Sequence, residues 1–176
     1  RQGEIRMREQ SGSSSWRQQR DWREQLTGAG VTVVIAQFGQ MESLNGLKKL
    51  PAFLAAYEQL IAEFAEGGRR VVLVAPIPFE KSPSMPLGRD LSARNGDLAA
   101  YTSGIRDLAK KLGLRFIEVT KPGEDRGPLT ENGYQLTEDG HRFIARRIAE
   151  GLGIAPKPEK ETEKVRREIL EAERLW

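Results

Sequence analysis

The chain has 176 residues, with 28 Lys and Arg against 25 Asp and Glu, a net charge of +3 and no cysteine. That length suits one main domain with appendages. A charge excess so thinly spread, with no basic stripe interleaved with aromatics, excludes an evident nucleic-acid surface. The lack of cysteine excludes disulfides and thiolate chemistry, and no apolar stretch approaches the roughly 20 residues of a membrane helix.

Residues 1–25 are polar, with serines and a glycine at 11–15 followed by Trp16 and Trp22 among arginines. A loop followed by a short helix is expected there, without the apolar core of a signal peptide at 1–10. Gly28 and Gly30 break the chain before the run Val31-Thr32-Val33-Val34-Ile35-Ala36-Gln37. A continuous, β-branched run of this kind predicts a strand covered on both faces. The polar turn Phe38-Gly39-Gln40-Met41-Glu42-Ser43 follows it. Leu50, Phe53, Leu54, Tyr57, Leu60, Ile61 and Phe64 then recur at helical spacing, up to Gly67-Gly68.

The second strand is predicted at 71–75 and is closed by Pro76 and Pro78, before a long loop containing Pro83 and Pro86. A second amphipathic helix carries Leu98, Tyr101, Ile105, Leu108 and Leu112, with Gly113 after it, and a short strand is predicted at 115–119. The loop 120–132 leads to Tyr134-Gln135-Leu136 and then Thr137, whose hydroxyl is placed to cap a helix with Ile144 and Ile148 on its packed face. Gly151 and Gly153 end it. Residues 156–163 read as a charged linker, and 165–176 as a helix with Val165, Ile169, Ala172 and Trp176 on one stripe.

Strand and helix alternating in this order imply right-handed crossovers and an α/β fold, a parallel sheet between helices on both faces. Three strands are expected here, and because three are few for an independent doubly wound domain, one or two more are expected upstream. The predicted organisation is a polar segment at 1–25, the remnant of an upstream part of the domain, the α/β domain at 26–154, and a charged linker with a terminal helix at 155–176.

Open parallel sheets place ligands outside the carboxyl ends of their strands. At the first such end, Gly39 permits close backbone approach while Gln40, Glu42, Ser43 and Asn45 supply donors and acceptors. This is either a binding or catalytic loop or a turn with a solvated polar rim. Glu80, after the second strand, points to the same end and either lines the site or stays a solvated loop carboxylate. A second polar cluster runs from Leu129 to His141, ahead of and into the last helix. Its Glu138 and Asp139 also suit a helix N-terminus electrostatically. His141 is the one histidine, the one side chain whose ordinary pKa makes it a neutral-pH proton shuttle. Its spacing from Ile144 and Ile148 puts it on or beside the packed face, where a structural role competes with a catalytic one. Gly28-Ala29-Gly30 precedes its strand instead of following it, so no dinucleotide turn is supported. No phosphate-binding G-x-x-x-x-G-K-[ST] motif occurs either. Neither a cofactor nor a metal is expected.

The two polar clusters, with their strand and helix spacing, resemble the SGNH (GDSL-type) hydrolase family, in particular divergent domains of large multidomain proteins from planctomycete-like bacteria. The resemblance runs from Trp22 to Gly153. Phe38-Gly39-Gln40-Met41-Glu42-Ser43 is similar to the family's G-x-N-[DE] block and Leu129 to His141 to its last block, D-x-x-H-L-x-x-x-G. Ala75-Pro76-Ile77-Pro78-Phe79-Glu80 and Arg94-Asn95-Gly96-Asp97-Leu98 resemble the segments between. The resemblance implies a three-layer, flavodoxin-like sheet truncated at its N-terminus. It further implies an ester hydrolase ancestry for carbohydrate or acyl esters, and a periplasmic or secreted location.

In that family a serine of a G-D-S block attacks the ester, the last-block His takes its proton and the Asp orients the His, while the third-block Asn helps form the oxyanion hole. This chain contains no G-D-S block; Met41 stands at the Asn position, Gln135 at that of the His and Asn132 at that of the Asp. Glutamine cannot shuttle a proton near neutral pH, and base catalysis is worth about 10² to 10⁴ in rate. The expectation is therefore an impaired hydrolase domain. The alternatives are an active esterase with its Ser upstream and His141 or Glu131 as base, and a non-catalytic interaction or ligand-binding module. The expected partners are an ester or carbohydrate ligand and other domains of a parent protein, with no nucleic acid and no membrane insertion.

Overall fold

In the computed structural model, residues 22–81, 90–120 and 127–155 are described, together with Arg167 and Glu171. The expected linker and terminal helix therefore lie outside the described residues, apart from those two positions, as do Trp16 and the prolines Pro83 and Pro86. The element order is α1 (Trp22–Gly28), β1 (Val33–Ala36), α2 (Leu50–Ala65), β2 (Arg70–Val74), α3 (Asn95–Lys111), β3 (Arg115–Ile117) and α4 (Glu138–Leu152). Short 3₁₀ turns lead into α2 and α3. No helix among the described residues is long and apolar enough to cross a membrane.

The three strands form one parallel sheet in the order β1-β2-β3, with Val34 opposite Val71 and Leu73 opposite Phe116. Alternation along the strands splits the core in two. Ala36, Val71 and Leu73 pack beneath α2 and α3 with Tyr57, Ile61, Ile105 and Leu108. Val72, Val74 and Ile117 pack on the other face beneath α4, with Ile144, Leu129 and Val119. This is the expected α/β sandwich with helices on both faces.

The expectation that the first strand is covered on both faces fails. Val33 and Ile35 are exposed, because α4 packs against β3 and no described helix reaches over β1 on that side. Continuous apolar character records that a strand is suited to burial, and it carries no information on whether a neighbour is there to bury it.

The short helix expected within 1–25 falls at Trp22–Gly28, across the expected boundary at residue 25. It docks on α2 through the edge-on contact of Trp22 with Phe64 and the Arg23–Glu63 ion pair at 2.5 Å. Thr137 caps α4 as expected, its Oγ1 accepting the Gly140 N–H at 2.9 Å. Gly153, at φ 74°, ends α4 in the left-handed conformation, and the Ile154 N–H then reaches the Ala149 carbonyl at 2.9 Å.

Candidate functional site

Both polar clusters lie at the carboxyl end of the sheet, and the segment leaving β2 joins them. On one side, Gln37 Nε2 donates to the Ala75 carbonyl and Gln40 Nε2 to the Ile77 carbonyl, each at 2.8 Å. On the other, the Glu80 N–H donates to the Gly133 carbonyl at 2.9 Å. Gln40 and Gln135 therefore belong to one rim, as neighbouring parallel strands require.

The turn after β1 is built around its own donors. Gly39 sits at φ 106°, and a β-carbon there would lie 2.8 Å from Ile105 Cδ1, so position and packing both require glycine. Its N–H donates to Glu42 Oε2 at 2.9 Å, and the fully buried Ser43 donates from Oγ to the Gln40 carbonyl at 2.6 Å. Met41 and Asn45 are exposed. The Gln40 amide, beside Met41, is held by the Ile77 carbonyl. The Gly39 amide is held by a carboxylate. Burial pushes the Tyr57 phenol far above its ordinary pKa and the Glu42 charge adds to this. The Tyr101 phenol is raised by burial first, then by Asp97 and Glu42. Neither phenol is a base near neutral pH.

Glu80 is neither a free lining group nor a solvated carboxylate. Its Oε2 accepts from Leu129 N and Thr130 N, both at 2.9 Å, and from Thr130 Oγ1 at 2.7 Å. Three donors on one carboxylate oxygen fasten the start of the last polar cluster to the end of β2. That cluster is a small antiparallel hairpin: Thr130 bridges Leu136, the Glu131 N–H donates to the Gln135 carbonyl at 2.9 Å, and the Thr137 N–H to the Leu129 carbonyl at 2.8 Å.

At its tip, Asn132 Oδ1 accepts the Gln135 N–H at 2.9 Å, while Asn132 Nδ2 donates to Gln135 Oε1 at 2.6 Å. The two residues at the resemblance's acid and base positions thus touch each other, in an Asx-type turn made of two neutral amides. His141 lies in the first turn of α4 and is exposed, beside the packed face that carries Ile144. Among the described residues no hydrogen bond links its ring to a hydroxyl. No group of three or more His, Asp or Glu side chains able to hold a metal ion occurs among them either.

Asn95, quoted in the sequence only as part of a family-like segment, has a specific structural role that sequence reading did not give it. Its Oδ1 accepts the Phe79 N–H at 2.9 Å and its Nδ2 donates to the Phe79 carbonyl at 2.8 Å, so one side chain imitates a neighbouring strand. Its place in that segment, ahead of an amphipathic helix, was the signal the sequence carried for it. Beside it, a cleft of about 430 Å³ opens at the carboxyl ends of β2 and β3, between Pro76, Pro78, Leu98 and Thr102 and the Arg106–Glu118 ion pair.

A parallel sheet between helices, with its polar rim at the strand ends, is the fold of SGNH-type esterases, and the chain has that fold. Among solved structures it is similar to the acetyl xylan esterase AlAXEase, with 20% identity over 71% of this chain and 69% of that one at a TM-score of 0.55. A catalytic mutant of Axe2, an acetylxylan esterase from Geobacillus stearothermophilus, matches with 16% identity over 76% and 65% at 0.56. LAE5, an alpha/beta hydrolase from the metagenome of Lake Arreo, Spain, matches with 15% identity over 77% and 66% at 0.59. The chain thus spans about two thirds of the length of these enzymes. No family model and no curated protein matches the sequence.

Proposed function

We propose that this chain is the later part of an SGNH-type esterase domain in which the proton relay has been replaced by a structural turn, leaving a scaffold without ester-hydrolysing activity of its own. The observation that carries this reading is the Asn132–Gln135 amide pair at 2.6 Å. An Asp–His pair bonded in this way orients an imidazole and stabilises its protonated form. Two carboxamides hold the same hairpin with no group able to take up a proton. The occupied Gly39 and Gln40 amides support the reading, since each lies at the rim but is already bonded within the protein.

What persists is the scaffold and its cleft, whose apolar walls and size suit an acyl or small carbohydrate ester as ligand. Fluorophosphonate labelling followed by intact mass analysis tests the reading, because that reagent phosphonylates only activated serines. The mass of the chain is expected to stay unchanged. A stoichiometric adduct that disappears in Gln135→Ala would show a working relay and overturn the proposal.

A further inference from the structure

All three asparagines of the chain, Asn45, Asn95 and Asn132, are followed by glycine. In an Asn-Gly pair no side chain on the second residue obstructs attack by its backbone nitrogen on the asparagine carboxamide, so each pair is chemically predisposed to lose ammonia. The fold then decides which of them can react. Attack requires the carboxamide to turn until its Cγ faces the next peptide nitrogen, and any hydrogen bond that holds it elsewhere must break first.

Two of the three carboxamides are held at both polar atoms. Asn95 accepts the Phe79 N–H at Oδ1 and donates from Nδ2 to the Phe79 carbonyl, and its backbone begins α3. Asn132 is bonded at Oδ1 and at Nδ2 to Gln135. Gly133 beside it is buried, and a β-carbon there would lie 2.6 Å from the Glu80 carbonyl oxygen. Neither carboxamide can turn without giving up two bonds, and at Gly133 the peptide is wedged as well.

Asn45 differs on each count. It is the last residue of the 3₁₀ turn Glu42–Asn45, it is exposed, and its carboxamide makes no hydrogen bond. The space around Gly46 is open: a β-carbon there would meet only Arg94 Nη2, at 4.0 Å. The attacking nitrogen is held by one bond, from the Gly46 N–H to the Ser43 carbonyl at 3.0 Å, at the end of the turn, where such bonds open most readily.

We propose that Asn45 is a site of spontaneous covalent modification, converted in the folded chain to aspartate and isoaspartate, while the fold shields Asn95 and Asn132. The Gly46 nitrogen gives up its proton to solvent base and bonds to Asn45 Cγ; the Cγ–Nδ2 bond then breaks, ammonia leaves, and a cyclic imide remains. Water opens the imide at either carbonyl. One carboxamide and one water thus give one carboxylic acid and one ammonia, with no change of oxidation state. The product adds a negative charge to the turn that follows β1, ahead of the exposed Lys48 and Lys49. Its isoaspartate form also lengthens the main chain by one carbon between two anchored carbonyls: Leu44, which accepts from Arg94 at 3.0 Å, and Gly46, which accepts from the Tyr101 hydroxyl at 3.1 Å. The modification therefore loosens this side of the polar rim. It is independent of the proposed loss of hydrolysis.

The three asparagines fall on separate tryptic peptides, so each can be read alone. The full chain is incubated at mildly alkaline pH, and conversion is followed by peptide mass spectrometry, with isoaspartyl methyltransferase labelling to mark isoaspartate. Asn45 is expected to convert at least about ten-fold faster than Asn95 or Asn132, since each of these must first release two hydrogen bonds. In urea, with the fold removed, the three rates are expected to agree within about three-fold, because the reacting pair is the same at each site. Asn45→Gln is expected to remove most of the acidic form that accumulates. Equal rates at the three sites in the folded chain would overturn the proposal, as would Asn95 or Asn132 converting first. So would an acidic form undiminished in Asn45→Gln, or a ten-fold lead of Asn45 that persists in urea, which would assign the difference to sequence and not to the fold.

Discussion

Asn132 and Gln135 are joined twice, by the Asn132 Nδ2 donation to Gln135 Oε1 at 2.6 Å and by the Gln135 N–H donation to Asn132 Oδ1 at 2.9 Å. The second bond fixes the turn for any residue at position 135, whereas the first depends on its side chain. Carboxylate and imidazole could replace the two amides without altering the hairpin. In Asn132→Asp with Gln135→His, the introduced imidazole is expected to titrate at higher pH than in Gln135→His alone, because a neighbouring carboxylate favours the charged ring. A folded-state pKa raised in this way stabilises the fold below the ordinary histidine value and loses that contribution as pH rises through the shifted one. NMR titration of the introduced ring's protons in the two variants reads the order directly.

Glu80 links the end of β2 to the hairpin through three donors, and its removal leaves the Leu129 and Thr130 amides without their acceptor. Glu80→Ala is expected to cost about 2 to 3 kcal/mol in denaturant unfolding, typical of hydrogen bonds to a charged group. Thr130→Val should cost less and couple to it in a double-mutant cycle, because both remove the bond between Glu80 and the Thr130 hydroxyl.

Two glycines of the chain should respond in opposite directions to alanine. At Gly140 a β-carbon would lie 2.1 Å from the Leu129 carbonyl oxygen, backbone that the Thr137 amide already fixes. Gly140→Ala is therefore expected to destabilise by more than about 2 kcal/mol, as overpacking against an immovable neighbour does. Gly96, in the first turn of α3, has open space around the same atom. Gly96→Ala should stabilise by about 0.4 to 1 kcal/mol through the unfolded chain. Thermal or urea unfolding of the two variants checks both signs.

Tyr57 and Tyr101 hold their phenols protonated by burial, reinforced by Glu42. Their folded pKa values lie above those of the unfolded chain, so this contribution to stability is complete below about pH 10, the ordinary tyrosine value, and is lost as pH rises above it. Phenolate absorbance should accordingly show both groups ionising only with alkaline unfolding. Reversible ionisation of Tyr57 or Tyr101 near the ordinary value, in folded protein, would contradict this.

Much of the scaffold is legible because helical and strand periodicity are local. Of the positions predicted for α3, Leu98, Tyr101, Ile105 and Leu108 are buried and Leu112 half-buried, and those for α2 join one cluster beneath the sheet with the exception of Leu50. Thr137 announces its helix in the same local way. The open face of β1 was illegible because Val33 and Ile35 look the same with or without a helix above them. The polar groups of the rim were read as available because residue type tells what Gln40 or Glu80 can bond, whereas only the fold tells what already bonds them. The helical phase counted from Ile144 left His141 on or beside the packed face, and only the fold shows that it is exposed.

The replacement of the relay by a turn is tested most directly by hydrolysis itself. Initial rates of the chain on p-nitrophenyl acetate and on acetylated xylo-oligosaccharides, across neutral pH, should match buffer and be unchanged by Gln135→Ala or His141→Ala. Saturable turnover with a bell-shaped pH profile, abolished by either substitution, would contradict it.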